Sequence, residues 1–293
     1  MSYLDRLPSP RKIIEKYNLT PQKKFSQNFI LDLNINMKIA RQLGSLNGET
    51  VVEVGSGPGS LTRALLSSGA QKVISIERDE RFIPVLEEIC SASNGRLEYH
   101  IGDALKINID DIVKKITGSV NYKIISNLPY NIATPLLMSW LSGDRWPAGW
   151  NAMALLFQKE VAQRITASPR DKSWGRLGVF SSWRTWSKIT FDLSPKVFFP
   201  SPKVSTSVVV IYPRTSPLLV SKESLILVTK MAFQQRRKTL RQNLKSIGGA
   251  ALLTEVNINP TARAEELILE QFVALAQAME RFSNNSEIQI EHN

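Results

Sequence analysis

Four consecutive residues, Asn127-Leu128-Pro129-Tyr130, carry the side chains best suited to chemistry. They follow Ile124 and Ile125, whose β-branched side chains are typical of a buried strand, and ligands of an open parallel sheet bind beyond the carboxyl ends of its strands. A carboxamide can accept a hydrogen bond from an exocyclic amino group, a proline stiffens the turn, and a phenol ring offers a face for stacking. The segment therefore suits a planar amino-heterocycle taken out of its stack. A strand end with a turn proline and a core tyrosine would show the same residues.

Three further strand ends could hold a nucleoside. Residues 50–54 form a predicted strand that runs into Gly55-Ser56-Gly57-Pro58-Gly59, where glycines let the backbone pass close to a ligand. Glu77 follows the next predicted strand, residues 73–76, at the place where a carboxylate accepts the ribose hydroxyls of a bound nucleoside. Asp103 follows the third, residues 97–101, and can accept a hydrogen bond from an adenine amino group. Because each feature alone is common, the prediction depends on their succession along three strands.

A nicotinamide-dependent enzyme is the natural alternative, because a lone G-x-G-x-G turn could hold NAD, another nucleotide or no ligand. Such an enzyme would favour a glycine or alanine where this chain has Ser60. It would also leave residues 127–130 without a role.

Composition excludes several other classes. The chain has 293 residues and a 43% hydrophobic content, which is ordinary for a globular protein, and it has neither a run long enough to span a membrane nor an apolar signal segment. Its single cysteine, Cys90, excludes an internal disulfide and fits a reducing, cytoplasmic location. Cys90, His100 and His292 are too few and too scattered for a zinc site, so no metal is expected.

The net charge of +11 indicates a polyanionic partner. Residues 1–214 hold 28 Lys and Arg against 18 Asp and Glu, and residues 222–245 hold seven basic residues against one acidic. Basic residues interleaved with tryptophans between positions 141 and 203 suit RNA or single strands, although several of these tryptophans should belong to the core. The expected RNA contacts are two lysines of an N-terminal loop and four cations predicted to lie on a helix: Lys23, Lys24, Arg236, Arg237, Lys238 and Arg241.

The chain is predicted to form two domains. Strands are expected at residues 50–54, 73–76, 97–101, 124–125, 153–157 and 204–212, with helices between them. Prolines at 213 and 217 mark a boundary, so we expect domains at residues 1–213 and 214–293. Beyond the boundary the pattern predicts helices at residues 225–245 and 264–282 and a polar tail after position 283.

Taken together, these stretches resemble the ribosomal RNA adenine N6-dimethyltransferases, and most closely those of the small subunit. The resemblance runs from about residue 23 to residue 272, and its most specific part combines the Asn127-Leu128-Pro129-Tyr130 segment with two others. The motifs that carry it are Gln27-Asn28-Phe29-Ile30, Glu53-Val54-Gly55-Ser56-Gly57-Pro58-Gly59, Glu77-Arg78-Asp79, Gly102-Asp103-Ala104, Asn127-Leu128-Pro129-Tyr130, Gln158-Lys159-Glu160-Val161-Ala162, Phe199-Pro200-Ser201-Pro202-Lys203-Val204 and Arg236-Arg237-Lys238.

The resemblance implies an α/β fold: a Rossmann-like class I methyltransferase domain with a seven-stranded mixed sheet, followed by a small all-α domain that contacts RNA or the ribosome. It implies S-adenosyl-L-methionine as cofactor and two adjacent adenines in the 3′-terminal hairpin loop of 16S rRNA as targets, within a precursor of the small ribosomal subunit. A monomer is expected. The implied cofactor contacts are Asn28 and the Ile30 backbone by the methionine end, Gly55 under it, Glu77 at the ribose, Asp103 at the adenine, and Asn127 where cofactor and target base meet.

One departure from the family pattern and three alternatives remain. Ser26 stands where the family usually has glycine before Gln27, so the backbone of that loop could differ. A methyltransferase acting on a large-subunit adenine would share the cofactor motifs. A ribosome-assembly factor without catalysis would be free to lose Gly55, Asp103 or Asn127, which are all present. A DNA adenine methyltransferase would more often have an acid at position 127.

Overall fold

The computed structural model of the protein describes residues 3–290, with side-chain surroundings throughout except at position 5 and at positions 283–290. The strands are β1 (Phe29–Ile30), β2 (Thr50–Val54), β3 (Lys72–Glu77), β4 (Leu97–Ile101), β5 (Tyr122–Ser126), β6 (Trp150–Gln158), β7 (Thr185–Leu193), β8 (Phe198–Phe199) and β9 (Thr206–Pro213). The α-helices are α1 (Pro10–Lys16), α2 (Leu33–Ala40), α3 (Ser60–Ser67), α4 (Ile83–Ala92), α5 (Ile109–Thr117), α6 (Tyr130–Ser142), α7 (Lys159–Ile165), α8 (Arg176–Arg184), α9 (Lys222–Ala232), α10 (Leu240–Asn243), α11 (Gly249–Glu255) and α12 (Leu269–Ile290). Short 3₁₀ turns lie at Tyr3–Arg6, Lys23–Phe25, Arg41–Leu43, Glu80–Phe82, Pro195–Val197, Lys245–Ile247 and Ala264–Glu266. No helix within residues 3–290 is both long and apolar enough to cross a membrane.

Seven strands form one mixed sheet in the order β4-β3-β2-β5-β6-β9-β7. The neighbours from β4 to β6 run parallel, and β9 runs antiparallel to β6. Parallel strands bring their carboxyl ends to one edge, so Val54, Glu77, Ile101 and Ser126 end on the same side of the sheet. This edge is where the loops of the candidate site begin.

The central strands form because most of their residues are β-branched or otherwise apolar, as suits parallel strands covered on both faces, although Glu53 in β2 and Ser75 in β3 interrupt the apolar runs. In β2, Val51, Val52 and Val54 are buried. In β3, Val73 and Ile74, which pair with Val51 and Val52, are also buried. Two backbone hydrogen bonds continue the strand pairing into the loops that follow β2 and β4. The Gly55 amide donates to the Ile76 carbonyl at 2.8 Å, and the Gly102 amide donates to the Glu77 carbonyl at 2.8 Å.

The chain divides into two compact units. The first contains residues 1–162 and 188–213, and the second contains residues 163–187 and 214–293. The expected two-segment division at position 213 therefore misses residues 163–187, which pack with the helical unit. The reason is that the chain leaves the first unit within α7 and returns to it within β7, which composition along the chain does not reveal.

The second unit has its own apolar core around two tryptophans. Trp174 and Trp183 are 1% and 2% exposed, and their indole nitrogens donate to the carbonyls of Leu267 at 3.0 Å and Leu218 at 2.8 Å. Burial of two large aromatic rings with satisfied N–H groups contributes several kcal/mol, roughly 1.5–3 for each large apolar side chain. This confirms that some tryptophans of the basic segment belong to the core.

Three expectations about elements are wrong. The predicted helix over residues 225–245 ends at Ala232 and resumes only at α10, because Asn243 Nδ2 donates to the carbonyls of Ala232 at 2.7 Å and Gln235 at 3.1 Å. Arg236, Arg237 and Lys238 therefore lie in an irregular segment and not on a helix. Strand β7 had no counterpart among the predicted strands, since exposed and half-buried residues interrupt its pattern. Helix α12 continues to residue 290 rather than ending at 282, and residues 291–293 lie outside the described part.

Candidate active site

The glycine-rich turn after β2 forms one wall of a pocket at the carboxyl edge of the sheet. Gly55, Gly57 and Gly59 have φ values of +79°, +50° and +74°, which side chains rarely adopt. A Cβ on Gly57 would lie 2.8 Å from the Phe29 ring, and one on Gly59 would lie 2.1 Å from Ile89. Glycine is therefore required both by the backbone conformation and by the close packing of the turn.

Glu77 is fixed at the tip of β3 by three backbone donors. It is 6% exposed, its Oε2 accepts from the Gly57 amide at 2.8 Å, and its Oε1 accepts from the Arg78 and Asp79 amides at 2.8 and 2.9 Å. Burial raises the pKa of this carboxyl, although the three amides act in the opposite direction. The carboxylate has a set orientation in the wall, with capacity left to accept further donors.

Asp103 has partners that the sequence did not suggest. Its Oδ1 accepts from the Leu105 amide at 3.1 Å, and its Oδ2 pairs with Arg78 Nη1 at 3.3 Å. Arg78 is 59% exposed and its guanidinium lies 5.8 Å from the centre of the Phe25 ring. Arg78 and Phe25, which were not among the predicted site residues, both line the pocket.

The carboxamide of Asn127 is oriented by a single contact. Its Nδ2 donates to the Asn28 carbonyl at 2.9 Å, so the side-chain oxygen remains as the acceptor. Among the described residues no donor bonds that oxygen or the carbonyl of Leu128. Asn127 therefore presents an unpaired acceptor to the pocket that it lines.

Tyr130 begins α6 directly after Pro129, whose φ of −56° suits the start of a helix. The tyrosine ring is half-buried, and its hydroxyl is hydrogen-bonded to the Thr206 hydroxyl at the start of β9. Burial raises the pKa of this phenol, and the Thr206 contact opposes the shift. The ring is thus held at both ends, and the sequence offered no signal for Thr206.

The N-terminal loop closes the pocket from the other side. Ser26 adopts the left-handed conformation with φ +49° and ψ +38°, and Asn28 Nδ2 donates across it to the Ser26 carbonyl at 3.1 Å. Gln27 Nε2 donates to Asp79 Oδ2 at 2.8 Å, which ties the loop to the segment after β3. The loop thus completes the wall of a pocket with about 740 Å³ of empty space, which includes space open to solvent.

Most of the sequence-predicted site residues meet in this pocket, and Ile30 is the exception. The wall contains Asn28, Gly55, Glu77, Asp103, Asn127, Leu128, Pro129 and Tyr130. Ile30 is 2% exposed in the apolar core of the first unit, and its carbonyl accepts from Asn36 Nδ2 at 2.9 Å. The predicted cofactor contact is one by the Ile30 backbone, so the burial of its side chain does not decide it, and the contact stays a prediction.

A second depression shares Ser26, Gln27, Asn28 and Tyr130 with the first pocket. It has an empty volume of about 860 Å³, partly open to solvent, and its remaining wall consists of Pro21, Gln22, Lys23, Gln158, Pro200, Pro202, Lys203 and Val204. Both lysines, Lys23 and Lys24, are exposed. Lys23 lines this depression beside the site, and the ammonium group of Lys24 lies 4.7 Å from the Phe25 ring centre. Two of the motifs in the sequence, at residues 158–162 and 199–204, contribute to this wall.

The predicted RNA contacts of the second unit differ in their surroundings. Arg236 Nη2 donates to the carbonyls of Lys172 at 2.6 Å and Trp174 at 3.1 Å, so this side chain holds a loop of its own unit. Arg237, Lys238 and Arg241 are exposed, and no ion pair of theirs occurs among the described residues. No cluster of three metal-ligating side chains occurs within the described part of the chain.

Comparison with known proteins agrees with this geometry. Residues 18–281 match the sequence model of the ribosomal RNA adenine dimethylases. The chain is 49% identical over 288 residues to the ribosomal RNA small subunit methyltransferase A of Xanthobacter autotrophicus, covering 98% of this chain and 99% of the relative. It is 51% identical over 274 residues to the protein of the same name from Chelativorans sp., covering 94% and 98%.

Two solved structures share the fold. A dimethyladenosine transferase from Plasmodium falciparum superposes with a TM-score of 0.68 at 24% identity, covering 84% of this chain and 95% of that one. The 23S rRNA methyltransferase ErmE gives a TM-score of 0.64 at 21% identity, covering 86% and 99%. The expected α/β fold of class I methyltransferases is confirmed. By the extent and identity of these matches, the chain belongs to the ribosomal RNA adenine dimethylase family.

Proposed function

We propose that the protein transfers methyl groups from S-adenosyl-L-methionine to N6 of two adjacent adenines in the 3′-terminal hairpin loop of 16S rRNA, giving N6,N6-dimethyladenosine. We further propose that it acts as a monomer, in the cytoplasm, on a precursor of the small ribosomal subunit. The observation that carries the proposal is the unpaired Asn127 oxygen, presented at the strand edge where the glycine turn, Glu77 and Asp103 meet. The names of the small-subunit relatives favour the 16S substrate.

The residues of the pocket fit an adenosine-containing sulfonium donor. Glu77 retains acceptor capacity for ribose hydroxyls, and Asp103 could exchange its pairing with the exposed Arg78 for an adenine amino group. Gly55 lacks a side chain where a Cβ would lie 3.2 Å from Pro129, so the wall between the turn and residues 127–130 stays open. Asn28, whose carbonyl is bonded to Asn127, would lie at the methionine end. When bound, the donor supplies an electrophilic methyl group on a positively charged sulfur.

The chain's own residues would prepare the target nitrogen. The lone pair of adenine N6 is delocalised into the ring, so the free base is a poor nucleophile. Acceptance of its N–H bonds by Asn127 Oδ1 and the Leu128 carbonyl would favour a more pyramidal nitrogen with its lone pair turned toward the methyl group. Because transfer depends mainly on position, the fixed amide supplies orientation rather than a strong base.

Tyr130 would hold the extruded base. Stacking of a base on an aromatic side chain contributes roughly 1–3 kcal/mol, and extrusion costs a few kcal/mol, least for a base that is already unpaired. The hydroxyl of Tyr130 is bonded to Thr206, so its ring is oriented before the base arrives. A loop adenine is therefore a more favourable substrate than one in a duplex.

Two alternatives are weaker. A large-subunit adenine methyltransferase would use the same pocket, and the relatives at about 50% identity that are named for the small subunit argue against it. A non-catalytic assembly factor would not need to keep an unpaired carboxamide oxygen beside a pocket lined by the glycine turn, Glu77 and Asp103.

The substitution Asn127→Ala tests the proposed chemistry. We expect donor binding, measured by calorimetry, to persist within about threefold, whereas the single-turnover rate of methyl transfer should fall by roughly 10²–10³, as on removal of one positioned transition-state interaction. The control Asn34→Ala removes an exposed carboxamide from α2 and should leave both quantities unchanged. Equal transfer rates of Asn127→Ala and the unsubstituted protein would refute the role of the amide.

A further inference from the structure

Trp186 is a large aromatic side chain that the proposed chemistry does not use. It lies at the start of β7 in the second unit and is 61% exposed, whereas Trp150, Trp174 and Trp183 are at most 2% exposed. A scattered exposed apolar residue is ordinary on a protein surface. Trp186 differs because one face of its ring is occupied by a fixed cation.

Arg214 forms that support. Its guanidinium carbon lies 3.4 Å from the centre of the Trp186 ring, which is stacking distance. The arginine is held by two backbone contacts, since its amide donates to the Arg184 carbonyl at 2.7 Å and its Nε donates to the Ser182 carbonyl at 2.8 Å. With one ring face on Arg214 and 61% of the side chain exposed, the opposite face is open to solvent. The result is a rigid, flat platform.

The charge of the second unit indicates what the platform binds. The unit carries 15 Lys and Arg against 9 Asp and Glu, so it attracts a polyanion. Glu270 lies close enough to act electrostatically on Arg214, which is half-buried, so Arg214 supports the ring more than it recruits phosphate. Bases have flat π-faces that stack on aromatic rings whatever their sequence, and in RNA they are available where the strand is unpaired.

We propose that the open face of Trp186, supported by Arg214, stacks an unpaired base of the RNA substrate at a contact separate from the catalytic pocket. The proposal rests on the proposed function in one respect, namely that the natural polyanion is a ribosomal RNA. The platform shares no residue with the pocket wall, so its contribution to binding can be measured without methyl transfer.

The test compares Trp186→Ala with Trp186→Phe, which keeps an aromatic face. Binding of two short RNAs is followed by fluorescence anisotropy without methyl donor: a hairpin with an unpaired loop, and a blunt duplex of equal charge. For Trp186→Ala we expect roughly five- to hundredfold weaker binding of the hairpin and unchanged binding of the duplex. Trp186→Phe should retain most of the hairpin affinity. Because the side chain is exposed, the thermal midpoint should stay that of the unsubstituted protein.

Salt dependence separates stacking from phosphate binding. Log affinity falls as log salt rises. The double substitution Arg237→Ala with Lys238→Ala should make this fall less steep, by about 0.7–0.9 in the magnitude of the slope for each phosphate that the variant no longer neutralises. Trp186→Ala should leave this slope unchanged, because stacking releases no counterion. Arg236 is excluded from this control, since it holds a loop of its own unit.

Equal hairpin affinity of Trp186→Ala and the unsubstituted protein would overturn the proposal. So would a loss seen only with intact ribosomal subunits and not with RNA, which would assign the surface to a protein partner. Methyl transfer is scored separately. If the protein is active but Trp186→Ala binds the hairpin normally, only the stacking proposal is refuted. If the protein is inactive, the proposed function is refuted, and the hairpin comparison still tests the stacking proposal.

Discussion

Asn127 and Asn28 are joined by a hydrogen bond of 2.9 Å between residues 99 positions apart. The sequence indicates that an amide belongs at position 127, because a strand end followed by proline and tyrosine is unusual, but it does not show how the amide is turned. The same holds for Asp103 and Tyr130, whose pairings with Arg78 and Thr206 arise only when separate loops meet. Residue type was predictable at this site, and orientation was not.

Ser26 gives a testable consequence at the residue scale. Its φ of +49° lies in the left-handed region, where a residue with a Cβ is strained by roughly 1–2 kcal/mol. Ser26→Gly would remove that strain but increase the freedom of the unfolded chain by about 0.4–1 kcal/mol. We expect a net rise of up to about 1.5 kcal/mol in the free energy of unfolding, measured by urea denaturation.

The matched control is Ser26→Ala, which removes the hydroxyl and keeps the Cβ. Alanine should gain no stability over serine, because the left-handed strain persists. If glycine and alanine at position 26 gave the same free energy of unfolding, the loop would not be strained at this residue.

Elements were predictable where one local pattern dominates. The parallel strands β2 to β5 are short segments rich in β-branched and other apolar residues, and their positions agree with the prediction to within about two residues. The break after α9 was not predictable, because it depends on Asn243 and on Phe233 stacking against Phe272 at a centroid distance of 5.5 Å. Strand β7 was not predicted, because its exposed residues interrupt the apolar pattern by which strands are recognised.

Glu53 in β2, which accepts a hydrogen bond from the Thr62 hydroxyl in α3, predicts a pH dependence of stability. Glu53 is 1% exposed, and burial raises the pKa of its carboxyl from 4.5 to about 8, with Glu77 adding to the shift and the Thr62 hydroxyl opposing it. The folded protein therefore binds more protons than the unfolded chain between these values. The contribution of this carboxyl to stability is therefore fully present below about pH 4.5 and is lost as the pH rises to about 8, a fall of up to about 5 kcal/mol.

Glu53→Gln keeps the shape of the side chain and removes the titration. We expect the free energy of unfolding of the variant, measured in urea at pH 5 and pH 8, to fall less between the two values than that of the unsubstituted protein. Glu77, whose pKa burial also raises, is retained in both proteins. Glu80→Gln changes an exposed carboxylate and should follow the unsubstituted protein. Parallel pH profiles for Glu53→Gln and the unsubstituted protein would show that Glu53 is ionised when folded.

For the whole molecule, composition predicted a basic, polyanion-binding protein, and motif order predicted the family. The division into units was not predictable in detail, because residues 163–187 join the helical unit only through tertiary packing around Trp174 and Trp183. The same packing leaves Trp186 at the surface over Arg214. The basic charge is thus shared between a unit that carries the pocket and a unit that carries the stacking platform.

The central claim is that this chain dimethylates two adjacent adenines of small-subunit RNA. The most direct measurement supplies the purified protein with isotopically labelled methyl donor and undermethylated small subunits, naked 16S rRNA or large subunits, and analyses the nucleosides and their positions by mass spectrometry. We expect labelled N6,N6-dimethyladenosine at two neighbouring positions of the 3′-terminal loop, and none in large-subunit RNA. Label in large-subunit RNA, at a single adenine, or in no RNA would contradict it.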